Sequence, residues 1–142
     1  MRSLLDISVL IALLDADHTL HPSAIVWFSA NASEGWASCP ITENGCVRVM
    51  SHPGYANTQP AQRIVQRLRS ATADPVHEFW PDAISLLDPQ TFDVTRIHGP
   101  RQLTDLYLLA LAVSRGGRLV TFDAAIASGA VPGAKADHLL RL

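Results

Sequence analysis

Brief apolar runs alternate along the chain with longer stretches in which apolar residues recur at helical spacing. Ser3 to Leu5, Trp36 to Cys39 and Arg118 to Phe122 read as short strands buried on both faces. Helix signals lie between them. Ser8 is placed to cap a helix through Leu14, Pro22 opens a second carrying Ile25, Val26, Trp27 and Phe28, and Thr42 is placed to cap a third over Glu43 to Met50. From Pro60 to Ala71, Ile64, Val65 and Leu68 fall on one side of a helix and Arg63, Arg67 and Arg69 off it. Thr104 is the expected cap of the most apolar helix, which runs to Val113 and is stopped by Gly116-Gly117. Val76 to Trp80 predicts an edge strand and Leu139 to Leu142 a last one. Asp82 to Leu87 predicts a short helix or a turn and strand, Asp88 to Gly99 irregular chain, and Ala124 to Ser128 one or two helical turns.

Strands so short and apolar, alternating with buried or amphipathic helices, predict a three-layer α/β/α sandwich around a short, mainly parallel sheet. At 142 residues, 48% hydrophobic and 17% charged, the expectation is one globular domain over residues 1–142. The net charge of −2 excludes a surface coated for indiscriminate nucleic-acid binding and leaves a local basic patch open. Lys135 is the only lysine, and arginine is the side chain suited to bidentate phosphate contacts. Cys39 and Cys46 fit neither a disulfide framework nor a zinc site and read as small buried apolar residues. The N-terminal apolar run is interrupted by Asp6, lacks a small-residue cleavage site before Asp15, and falls far short of the roughly 20 residues of a membrane span. A cytoplasmic protein without a membrane segment is expected.

Four acids share one description. Asp6 ends the first strand, Glu43 opens the helix after the second, Asp105 opens the apolar helix and Asp123 ends the strand behind it. A parallel α/β sheet gathers strand C-termini and helix N-termini along one edge, where such folds place ligands. Any single acid in a first turn is ordinarily a dipole partner or cap. The remaining acids, Asp15 and Asp82 among them, fall in polar or turn-like surroundings and read as surface groups. Four carboxylates together repel severely without a cation, and a hard divalent ion, Mg²⁺ or Mn²⁺, suits oxygen-only ligands. The six histidines show no metal-binding helical spacing, and no nucleophile elbow, P-loop or dinucleotide fingerprint is present.

The series Leu4-Leu5-Asp6-Ile7-Ser8, Thr42-Glu43-Asn44, Leu103-Thr104-Asp105 and Leu119-Val120-Thr121-Phe122-Asp123 resembles a PIN domain, and most of all the VapC toxins of type II toxin–antitoxin modules. The resemblance covers the whole chain in order. It implies that Asp6, Glu43, Asp105 and Asp123 are the catalytic and metal-binding acids of an Mg²⁺- or Mn²⁺-dependent ribonuclease leaving a 5′-phosphate and a 3′-hydroxyl. It further implies a structured RNA substrate such as tRNA, a homodimer and a small antitoxin partner. Some relatives carry a further acid just after the last one. Ala124, Ala125 and Ile126 stand there in this chain, so one metal ion is expected. Ser8 and Thr121 are candidate supporting hydroxyls, and Arg48, Arg63, Arg67, Arg96 and Arg101 the candidate RNA contacts. Exposed apolar residues on the early helices, such as Trp27, would serve the antitoxin or the dimer. An aspartyl-phosphate protein is disfavoured by the single early acid and the misplaced Lys135. The alternative is a non-catalytic RNA- or protein-binding module on the same fold, against which the concentration of negative charge argues.

Overall fold

In the computed structural model, which describes residues 1–142, five strands form one sheet: β1 (Ser3–Leu5), β2 (Trp36–Ser38), β3 (His77–Phe79), β4 (Arg118–Thr121) and β5 (Leu139–Arg141). Their order is β3-β2-β1-β4-β5 and every pairing is parallel. The helices are α1 (Ile7–Leu14), α2 (His21–Asn31), α3 (Pro40–Met50), α4 (Ala61–Thr72) and α5 (Leu103–Ser114). Successive strand residues face opposite sides. Leu5, Trp36 and Val120 therefore join α1, α3 and α4 in one core, while Leu4, Ala37 and Leu119 join α5 in the other. That is the expected three-layer sandwich. No helix is long and apolar enough to cross a membrane.

α5 belongs wholly to its core. Leu106, Leu108, Leu109, Ala110, Leu111 and Ala112 are all buried, each large side chain contributing roughly 1.5–3 kcal/mol. Its end follows the glycine pair. Gly116 takes φ 65°, its N–H donates to Val113 O at 3.1 Å and that of Gly117 to Ala112 O at 2.9 Å, closing the last turn.

Three helix starts differ from expectation. Asp6, not Ser8, caps α1 through the Ile7 N–H. α3 begins at Pro40 with Cys39 as cap; Thr42 lies inside the first turn, where its Oγ1 accepts from Cys39 N at 2.9 Å. Pro40 lacks the N–H that a first helical residue leaves unused, so the helix forms earlier than the Thr signal suggests. α5 begins at Leu103 out of a 3₁₀ turn over Pro100–Gln102, and Thr104 makes no cap. Residues 82–87 form neither helix nor strand, because Ile84 and Leu86 pack on the α5 core and Tyr107 Oη donates to Ile84 O at 2.9 Å. Residues 124–127 are not helical either. Asp123 Oδ1 takes the Ala125 N–H at 2.8 Å and closes a turn, and a single 3₁₀ turn follows at Ser128–Ala130.

Candidate active site

The strand order places the functional edge. From β1 the chain builds outward through β2 and β3, then returns across β1 to β4 and β5, so the sheet's switch point lies between β1 and β4. Asp6 directly follows β1 and is only 6% exposed. Its Oδ1 accepts from Ile7 N at 2.7 Å, and its Oδ2 from Ser8 Oγ at 3.1 Å and Thr121 Oγ1 at 2.7 Å. Fully buried Thr121, the last residue of β4, accepts in turn from Asp123 N at 3.0 Å. One hydroxyl thus ties the acid of β1 to the turn that carries the acid of β4. Both candidate supporting hydroxyls sit on Asp6.

Asp105 projects from the first turn of α5 toward this pair. Burial, then the charge of Asp6, then the contact and charge of Asp123 push its carboxyl up to about 7. Asp105, Asp123, Arg101, Gln102 and Ile126 line a cleft of 310 Å³. No three acid, histidine or thiol side chains stand close enough together to hold an ion as placed. The donor chemistry suits a hard cation all the same: Asp105 meets Asp123, feels the charge of Asp6, and is driven by burial and these neighbours toward the protonated state.

Glu43 is not with them. Ser38 Oγ donates to Glu43 Oε1 at 2.6 Å, and Ser38 Oγ also lies 2.8 Å from His77 Nε2. With the Ser38 proton committed to Glu43, His77 Nε2 is the donor in the second bond. Burial lowers the His77 pKa and stabilises that neutral ring. The reason for the orientation is helix phase. Glu43, Cys46 and Met50 stand at i, i+3 and i+7 on the face turned toward the core, and Cys46 and Met50 are buried. Asn44 and Arg48, at i and i+4, face outward, and half-buried Glu43 borders a 550 Å³ cleft beside them. They line a 340 Å³ cleft with Ile7, Thr104 and Asp82. The spacing of Cys46 and Met50 was a usable sequence signal for this; for Asp82, which lies beyond the helices, there was none.

The PIN domain family matches residues 3–131, the span from β1 past all of these acids. This chain belongs to the PIN-domain family. Within that family it is similar over its whole length to Ribonuclease VapC44 of Mycobacterium tuberculosis, 50% identical over 142 residues that cover 100% of both chains. It is 44% identical to Ribonuclease VapC39 of the same organism, over 94% of this chain and 96% of that one. The fold is similar to that in the crystal structure of VapBC2 from Rickettsia felis bound to a promoter DNA fragment, with a TM-score of 0.65 at 14% identity over 100% and 99% of the chains. It is also similar to M. tuberculosis VapC20, a sarcin–ricin loop cleaving toxin, with a TM-score of 0.63 at 14% identity over 94% and 98%.

Around the acids of this PIN domain the candidate arginines sort into two groups. Arg63 donates to Gln59 Oε1 at 3.1 Å, Arg67 to Leu14 O and Arg96 to Gly129 O at 3.3 Å, so all three are engaged within the fold. Arg48 and Arg101 are exposed in clefts beside the acids. Trp27 is half-buried, with the Arg118 guanidinium 5.9 Å above its ring, and the exposed apolar residue beside it is Val26.

Proposed function

We propose that this VapC-family ribonuclease hydrolyses RNA phosphodiester bonds at the switch-point edge with Mg²⁺ or Mn²⁺ held by Asp6, Asp105 and Asp123. The observation that carries this is the state of Asp105, a carboxyl made hard to ionise by burial and by two acids from neighbouring strands. A structural role gives no reason to set a half-buried carboxyl within reach of the charges of two others. Held there, such an ion would supply Lewis acidity toward the phosphate and would help activate water as the nucleophile. The chain's own groups do the positioning. Ile7 N–H, Ser8 and Thr121 fix the Asp6 carboxylate in one orientation, and α5 anchors Asp105 on a rigid apolar core. Asp123, exposed on its turn with Oδ1 accepting from Ala125 N, would complete the set. Glu43, held by Ser38, acts from outside this set. The products carry a 5′-phosphate and a 3′-hydroxyl, the substrate is a structured RNA such as tRNA, and the toxin forms a homodimer inhibited by a small antitoxin.

Incubating purified protein with total tRNA in Mg²⁺, in Mn²⁺ and in EDTA tests the reading. Asp6→Asn and Asp105→Asn each reduce cleavage at least roughly 100-fold, the scale on which lost electrostatic stabilisation of a transition state is felt. Glu43→Gln reduces it less. Cleavage that persists in EDTA, or in both Asn variants, overturns the metal–carboxylate reading.

A further inference from the structure

We propose that a single RNA strand crosses the acids from one cleft to the other, its phosphates held by Arg48 on one side and Arg101 on the other, and that the Arg48 arm is the longer. This path rests on the ribonuclease reading above. The first turn of α5 is the ridge it crosses: Thr104 lines the cleft on the α3 side, and the next residue, Asp105, lines the cleft on the other. Each cleft contains one arginine without a hydrogen bond or ion pair to the protein, whereas the other three candidates, also exposed, each make one hydrogen bond to the protein. A phosphate chain approaching three carboxylates needs compensating cations on its flanks, and these two guanidiniums stand there.

The two arms are unequal. Beyond Arg101 the cleft closes against Ala125 and Ile126. Arg48, by contrast, borders three adjoining clefts, of 340, 550 and 260 Å³, which run from Ile7 and Thr104 past Glu43 over the outer face of α3 to His52 and Tyr55. Tyr55 is half-buried with its hydroxyl tied to buried Asp15, so an aromatic ring is held rigidly at the far end. Aromatic walls beside a cationic groove are the means by which proteins hold unpaired bases, and a single strand is therefore the expected occupant.

The test is fluorescence anisotropy with a 5′-labelled oligouridine 12-mer in EDTA, where the proposed hydrolysis is silent, over a range of salt. Arg48→Ala and Arg101→Ala each weaken binding about 5–10-fold and reduce the log–log salt slope by about 0.7, the value for one phosphate contact on a single strand. Arg115→Ala, at the opposite edge of the sheet, changes neither, and Arg48→Lys keeps most of the slope. The two penalties add in the Arg48→Ala/Arg101→Ala double variant on the 12-mer, and shortening the oligonucleotide until it cannot span both clefts abolishes that additivity. Equal losses in all three alanine variants, penalties that remain additive on the shortened oligonucleotide, or equally tight binding of a blunt RNA duplex each overturn the path. Cleavage is scored separately with Mg²⁺. Cleavage by a protein whose binding ignores Arg48 and Arg101 removes the path and leaves the ribonuclease reading. The expected binding pattern without cleavage does the reverse.

Discussion

At the scale of single residues, two aspartates show how far environment can move one side chain. Asp105 is pushed toward its protonated form, burial first and neighbouring carboxylates second. Asp15 goes the other way. It is 4% exposed at the end of α1, and although burial opposes its charge, hydrogen bonds from Tyr55, Asn57 and the Asp17 N–H outweigh that and hold its pKa below the ordinary 3.8. The unfolded chain therefore binds this proton more readily than the native one, so stability rises with pH through the window below about 3.8 and is fully present above it. Asp15→Ala is expected to cost about 2–3 kcal/mol at neutral pH, the scale of lost charge-assisted bonds, by leaving Tyr55 and Asn57 without their acceptor. Urea midpoints measured between about pH 3 and pH 7 should show the gap from the wild type narrowing as pH falls below about 3.8. A gap independent of pH would mean that the carboxylate's charge is not what holds the loop.

At the scale of elements, α3 is fixed by how closely it meets α1. A Cβ on Gly45 would lie 2.3 Å from Ile7 Cδ1 and 2.8 Å from Ile7 Cγ1, and Ile7 is a branched side chain with few rotamers to retreat into. Ile7 directly follows Asp6 and donates to its carboxylate. Gly45→Ala should therefore destabilise by about 1–3 kcal/mol through overpacking, despite alanine's better helix propensity. It should also lower RNA cleavage beyond what the lost folded fraction explains, because Ile7 moves with its N–H. Thermal melts paired with cleavage rates per folded molecule separate the two effects; a variant that melts like the wild type would show that α1 gives way without cost. The element types themselves were legible in the sequence. Apolar brevity marked the strands and the glycine pair marked the end of α5, since both signals act within a few residues. The helix starts were less so: Ser8, Thr42 and Thr104 are all good capping residues, and only packing and Pro40 decided that none of them caps.

At the scale of the whole molecule, α2 stands out by what it leaves uncovered. Leu20, Ile25 and Val26 are 38%, 39% and 71% exposed in and beside a helix with little division into apolar and polar faces. An exposed apolar set on one element marks a contact surface, here the one proposed for the antitoxin or the second protomer. Val26→Glu should leave the melting behaviour of the isolated chain within about 0.5 kcal/mol, as for surface substitutions generally, while abolishing association. Light scattering coupled to size exclusion, and copurification with the product of the neighbouring reading frame, read this directly. Undiminished self-association and antitoxin capture would move the interface away from α2.

The sequence by itself determined the sheet, the alternating layers and the placement of Asp6, Asp105 and Asp123 at one edge. Those follow from local periodicity and from the rule that parallel strands end together. It also supplied Ser8 and Thr121 as hydroxyls near the acids, without saying that both would bind Asp6. Only the tertiary structure decided which acids meet. Glu43 stands beside a strand end as the other three do, yet its carboxylate is taken by Ser38 and it borders a cleft with Asn44 and Arg48 on the α3 side. The sorting of the arginines was equally invisible in the chain, because Gln59, Leu14 and Gly129, which engage three of them, gain that role only once the helices and turns have packed. A residue's type and spacing set what it can do, but the direction in which it points is set by neighbours that are distant in sequence, and at this edge direction sets Asp105 against Asp123 and Glu43 against Ser38.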